Sequence, residues 1–163
     1  MQNHEHQNDP TPPDCFRQTD VESFQSVENQ ILSGVQYFLW LDAENALPYR
    51  FLLALELLFE SGESLLLSSG EDSEAIRVIT AEALLETATH LQELHGKPII
   101  QRMQRSEQGF WPGLMGKVLE AVRLSRHENG LYRNDALLLD FAQAGGVVIQ
   151  LPESGEGLEI LEL

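Results

Sequence analysis

The stretch "LELLFESGESLLLSSGEDSEAIRVI", residues 55–79, decides how this chain is read. Its leucines would permit a helix. The Ser- and Gly-bearing "ESGES" between two apolar runs argues for a β-hairpin, because a glycine supplies the backbone freedom that a tight reversal needs. An acidic loop and a short strand, "AIRVI" (75–79), follow. Residues 137–161, "LLLDFAQAGGVVIQLPESGEGLEIL", repeat the same order of run, turn, run, acidic loop and run.

Shifted by 82 positions, residues 34–80 fall on 116–162 without a gap. Gly34, Ala54, Leu55, Leu57, Phe59, Glu71 and Glu74 meet Gly116, Ala136, Leu137, Leu139, Phe141, Glu153 and Glu156. Seven identities in 47 positions carry little weight in a chain so rich in Leu and Glu. The pattern carries more. Leu65-Leu66-Leu67 falls on Val147-Val148-Ile149, Ile76 and Val78 fall on Leu158 and Ile160, and turns coincide with turns.

The expectation is therefore an α+β fold: an antiparallel β-rich domain from two pseudo-repeats of a four-stranded meander (34–80 and 116–162). One such meander cannot bury both of its faces. Its central runs are apolar at consecutive positions, so both faces want cover. Two copies packed face to face or joined in one curved sheet, with a helix across them, would provide it. A closed barrel is the near alternative.

Two helices complete the plan. "DVESFQSVENQIL" predicts one at about 20–33, capped by Asp20, with Phe24, Val27 and Ile31 on one face and Gly34 ending it. "AEALLETATHLQELH" predicts another at about 81–95, with Leu84, Leu85, Ala88, Leu91 and Leu94 on its apolar face and Gly96 as terminator. Strands are expected at 35–41, 49–59, 65–67, 75–79, 117–126, 136–141, 147–151 and 158–163, and "PII" (98–100) opens an extended segment before a loop. Residues 1–19 are polar and proline-bearing and read as a disordered leader, leaving 20–163 as a single globular domain with halves at about 20–96 and 97–163.

Charge narrows the function classes. The chain carries 26 acidic and 10 basic residues, a net of −16, which repels nucleic-acid phosphates and anionic membranes and favours a protein partner with a basic surface. The blander reading is a solvated acidic exterior. With one cysteine, Cys15, there is no internal disulfide framework, and no run is long enough to span a membrane. A cytoplasmic location is the expectation.

No catalytic or cofactor signature stands out. There is no GxGxxG or GxxxxGK[ST] loop and no G-x-S-x-G elbow. His90 and His95 are five residues apart, about 140° around a helix, and so do not share a face. "HEH" (4–6) lacks a preorganised third ligand, and the acidic loops "GEDSE" (70–74) and "ESGEG" (153–157) lack the spacing of a calcium loop. No metal or cofactor is expected.

Residues 97–133 are distinctive: seven of the ten basic residues with three acids make this segment net +4, leaving −20 for the rest. Phe110 and Trp111 sit inside it, and aromatics near arginines are what binding hot spots favour. The candidate partner-binding residues are Phe110, Trp111, Glu71, Asp72, Glu74, Glu153 and Glu156. The leading expectation is a non-enzymatic acidic binding protein, in its sharpest form an immunity or inhibitor protein that neutralises a cationic partner. The second is a structural or assembly subunit of a bacterial complex, self-associating through apolar sheet faces. The third is an enzyme with a site of scattered carboxylates.

Overall fold

The computed structural model describes residues 10–41, 49–95 and 99–163. The "HEH" segment, Gly96 and the first part of the leader lie outside the described residues. The chain forms α1 (Gln18–Val27), β1 (Gln30–Leu41), β2 (Tyr49–Phe59), β3 (Ser64–Ser68), β4 (Arg77–Val78), α2 (Ala81–His95), β5 (Ile99–Gln104), β6 (Val118–Leu119), β7 (Ala121–Arg123), β8 (Ala136–Asp140), β9 (Gly146–Gln150) and β10 (Glu159–Glu162). Every strand pairing is antiparallel.

The two meanders are present and share one strand order. The first sheet runs β4-β3-β2-β1-β5, with β6 also paired to β1, and the second runs β10-β9-β8-β7. Their registers coincide under the 82-residue shift. Leu55 pairs with Leu67 as Leu137 pairs with Ile149, and Ser68 pairs with Arg77 as Gln150 pairs with Glu159. The first strand departs from it. Gly34 pairs with Leu58, whereas Ala121 pairs with Asp140, so Gly34 corresponds to Ala121 and not to Gly116. The connection between the first two strands is five residues longer in the first half. Gly116 lies in the turn before β6, at φ +78.

The residues matched by the shift make the shared core. Leu55, Leu57, Leu65 and Leu67 pack in one buried cluster with Leu137, Leu139, Val147 and Ile149. Each buried side chain of this size is worth roughly 1.5–3 kcal/mol relative to exposure. Two seams join the sheets. The chain expected as one strand at 117–126 divides at Glu120: β6 pairs with β1, and β7 pairs with β8. Leu52 and Leu158 form an isolated bridge at the second seam.

The opposite face of the first sheet belongs to α2. This helix starts beside β4 and leads into β5, the two ends of the strand order, so it crosses the sheet. Fifteen residues span about 22 Å, and five strands about 19 Å, so the lengths match. Leu84 and Leu91 pack with Trp40, Leu53, Ala54 and Leu66 in a second buried cluster. The apolar face is narrower than predicted, because Leu85 and Leu94 stay 68% and 62% exposed.

The N-terminal region differs from expectation. α1 ends at Val27 because Asn29 takes φ +68 and Ile31 enters β1, paired with Val118. Its N-cap is Arg17, and Asp20 sits one turn inside. The leader is also not loose as far as residue 19. Cys15 bridges to Arg133, Cys15 and Phe16 are buried, and Phe16 meets Phe24 edge-on at 5.0 Å. Asp20, 1% exposed, ties this region to the sheet. Its carboxylate accepts hydrogen bonds from the Arg17 amide (2.9 Å) and the Val78 amide (3.3 Å) and pairs with Arg77 at 3.4 Å.

Removing the Asp20 carboxylate leaves the Arg17 and Val78 amides without their acceptor and takes the counter-charge from Arg77, whose guanidinium keeps the Cys15 and Pro13 carbonyls. Asp20→Ala is expected to cost about 2–4 kcal/mol in urea unfolding, with Asp20→Asn losing less. A cost under about 0.5 kcal/mol, the surface-substitution range, would contradict this role.

Candidate partner-binding site

The two acidic loops follow equivalent strands, β3 and β9, and the second seam brings them side by side. The Leu158 amide donates to the Leu52 carbonyl at 2.9 Å. The Gly157 amide donates to Ser73 Oγ at 2.9 Å, and Ser69 Oγ donates to the Gly157 carbonyl at 3.0 Å. Gly157 sits at φ +73 against Leu52 and Phe51, where a Cβ would collide with the Leu52 carbonyl. Only glycine fits there. Each loop is also braced internally: Asp72 Oδ1 accepts from the Glu74 amide and Ser154 Oγ from the Glu156 amide.

This seam presents Glu71, Asp72, Glu74 and Glu153 as exposed carboxylates, with Glu156 half-buried. A small cleft between the loops holds Glu71, Asp72 and Glu156 above Trp40, Phe51 and Leu91. Trp40 and Phe51 stack beneath it, 5.9 Å between centroids. Glu71 reaches across to α2, where its Oε2 lies 2.6 Å from His90 Nδ1.

On the other flank of the 153–157 loop lies a groove of about 460 Å³. Tyr37, Arg105 and Phe110 form one wall, and Ser154, Glu156 and Glu159 the other. Arg105 lies over the Tyr37 ring, 4.8 Å from its centroid. Burial pushes the Tyr37 hydroxyl above its ordinary pKa, and the hydrogen bond from Trp111 Nε1 (2.8 Å) and the nearby Arg105 partly oppose that.

Of the seven sequence candidates, five are carboxylates of these two loops: Glu71, Asp72 and Glu156 line one cleft, Glu74 and Glu153 lie elsewhere on the same loops, and Phe110 shares its groove with Glu156. Trp111 is corrected: at 1% exposed it belongs to the shared core and is not available for contact. The basic segment largely pairs internally. Arg123 binds Asp140, Arg126 lies over Tyr132, and Arg133 approaches Asp135. Tyr37, Ser73 and Gly157 carry no signal in the sequence; His90 is weighed there only as half of a helical metal pair, and Arg105 only as one of the basic residues of 97–133. The 82-residue correspondence marked the loops as equivalent positions but held no sign that they would touch.

Among the described residues, no group of three or more His, Cys, Asp or Glu is placed to hold a metal ion. Among them, no helix is long and apolar enough to cross a membrane. Neither family models, nor curated proteins, nor solved structures yield a match to this chain.

The Glu71 carboxylate, first by its hydrogen bond and then by its charge, raises His90 above the ordinary histidine value of 6.5. A raised folded-state pKa means the contact stabilises fully below the unfolded value and is lost as pH rises through the folded one. The NMR titration of His90 is expected to have its midpoint above 6.5, and Glu71→Gln to move it down. A midpoint unaffected by Glu71→Gln would show that the two side chains do not meet.

Proposed function

We propose that this chain is a non-enzymatic binding protein whose acidic seam docks on a basic surface of a protein partner. In its sharpest form it is a bacterial immunity or inhibitor protein that neutralises a cationic toxin or nuclease in the cytoplasm. The convergence of two acidic loops, distant in sequence and braced by hydrogen bonds, supports this reading above all. A rigid cluster of carboxylates loses little conformational freedom on binding, and the −16 net charge speeds encounter with a cationic partner. The same field disfavours nucleic acid and anionic membranes.

The test is capture from the native lysate at low salt and at about 1 M salt, where the screening length is about 3 Å. Capture is expected at low salt, lost at high salt and weakened by combined Glu71→Gln, Asp72→Asn, Glu153→Gln and Glu156→Gln. No partner at low salt, or one indifferent to salt, would overturn the reading.

One observation favours the assembly-subunit reading. Leu85 stands exposed beside a groove of about 650 Å³ between α2 and the sheet, lined by Phe38, Leu66 and Ile100. Light scattering separates the two readings: a homo-oligomer dissociated by Leu85→Asp would support assembly, and a monomer would not.

A further inference from the structure

The meanders also differ in what covers their outer faces. The face that α2 covers in the first has no covering helix in the second, among the described residues. Under the 82-residue shift, Leu66 and Ile79, which pack with Leu84 and Leu91 of α2, correspond to Val148 and Leu161. There Val148 is half-buried, and Leu161 and Leu163 are 44% and 74% exposed.

These side chains form one continuous row. Val148 pairs with Leu138 on β8 and with Leu161 on β10. Between them Gly146 leaves room: a Cβ there would lie 3.1 Å from Leu163 and 3.2 Å from Leu138, so both leucines close over the glycine. The surround is charged. Arg123 binds Asp140 at 2.8 Å and Gln150 binds Glu159 at 2.6 Å, so on this face two carboxylates accompany one guanidinium.

We propose that this face docks an amphipathic helix of the partner, in the pose that α2 takes on the first meander; the inference rests on the partner-binding reading above. The fold supplies the template. A sheet face of the same register seats Leu84, Ala88 and Leu91, an i, i+4, i+7 stripe, and helix-in-groove recognition uses that spacing. Charge complementarity sets the flanks: lysines or arginines beside the stripe would meet Asp140 and Glu159. A second copy of this chain fits poorly. It would bring −16 against −16, and its own α2 stripe is already buried.

The probe is a helix-stapled peptide of residues 81–95 that keeps Leu84, Ala88 and Leu91. It carries Leu85→Lys, Gln92→Lys and Leu94→Lys on the flanks and Glu82→Gln, Glu86→Gln and Glu93→Gln elsewhere. Titrated into the ¹⁵N-labelled full chain, it is expected to shift the amides of β8, β9 and β10 in a saturable way. Leu161→Asp, at an exposed position, is expected to weaken binding by at least about tenfold, as for an apolar anchor.

Shifts confined to α2 and its groove, or equal binding of a probe with Leu84→Ser and Leu91→Ser, would overturn the inference. So would a dimer in light scattering that Leu161→Asp dissociates. If Glu71→Gln with Asp72→Asn and Glu156→Gln abolishes binding while Leu161→Asp does not, the acidic-seam reading survives and the helix site falls. If no salt-sensitive partner is captured while the probe still needs Leu161, the functional reading falls and the helix-binding face stands.

Discussion

The structure depends on two four-stranded meanders covering one another. Neither can bury its inner face alone, because a sheet needs a second layer. Leu55, Leu57, Leu65 and Leu67 enter the shared core from the first meander, and Leu137, Leu139, Val147 and Ile149 enter it from the second at the corresponding positions. α1 and the segment around Phe16 close one margin of this core, and Trp111 fills another part of it. Asp20 then holds the N-terminal region to β4 through Arg77 and the Val78 amide.

The same constraint builds the acidic seam. Once the inner faces are apposed, the Leu52–Leu158 bridge sets the loops after β3 and β9 against each other. Bringing acidic loops together has an electrostatic cost, which the hydrogen bonds at Ser69, Ser73 and Gly157 offset. His90 answers part of the charge from α2. The seam is thus a place where local electrostatics oppose the fold, as interaction sites often do.

Much of the fold is legible in the sequence because hairpin grammar is local. The turn after Phe59 and the turn after Phe141 span the same number of positions, so strands two to four keep one offset in both halves. The first strand escapes it, since the connection to the second strand differs in length and no identity marks the change. The predicted strand at 117–126 also alternates correctly, yet Glu120 divides it between sheets, a choice made by the partners on either side. Leu85 and Leu94 look like core residues by helical spacing, but the sheet seats only the stripe through Leu84, Ala88 and Leu91. The site was half legible. Acidic composition marked the loops, and aromatic content marked Phe110. Trp111 misled because burial depends on what Tyr37 and the opposite sheet offer, and these are far away in sequence.

The central claim is that one core stabilises both meanders. Native-state hydrogen exchange across a urea series tests it most directly, because it reports the opening free energy of each strand. The account predicts that the slowest amides of β2 and β3 and of β8 and β9 converge on one opening free energy and one urea dependence. Persistent protection of β2 and β3 after β8 and β9 have opened would contradict it, since the second meander would then be an appendage and not half of the core.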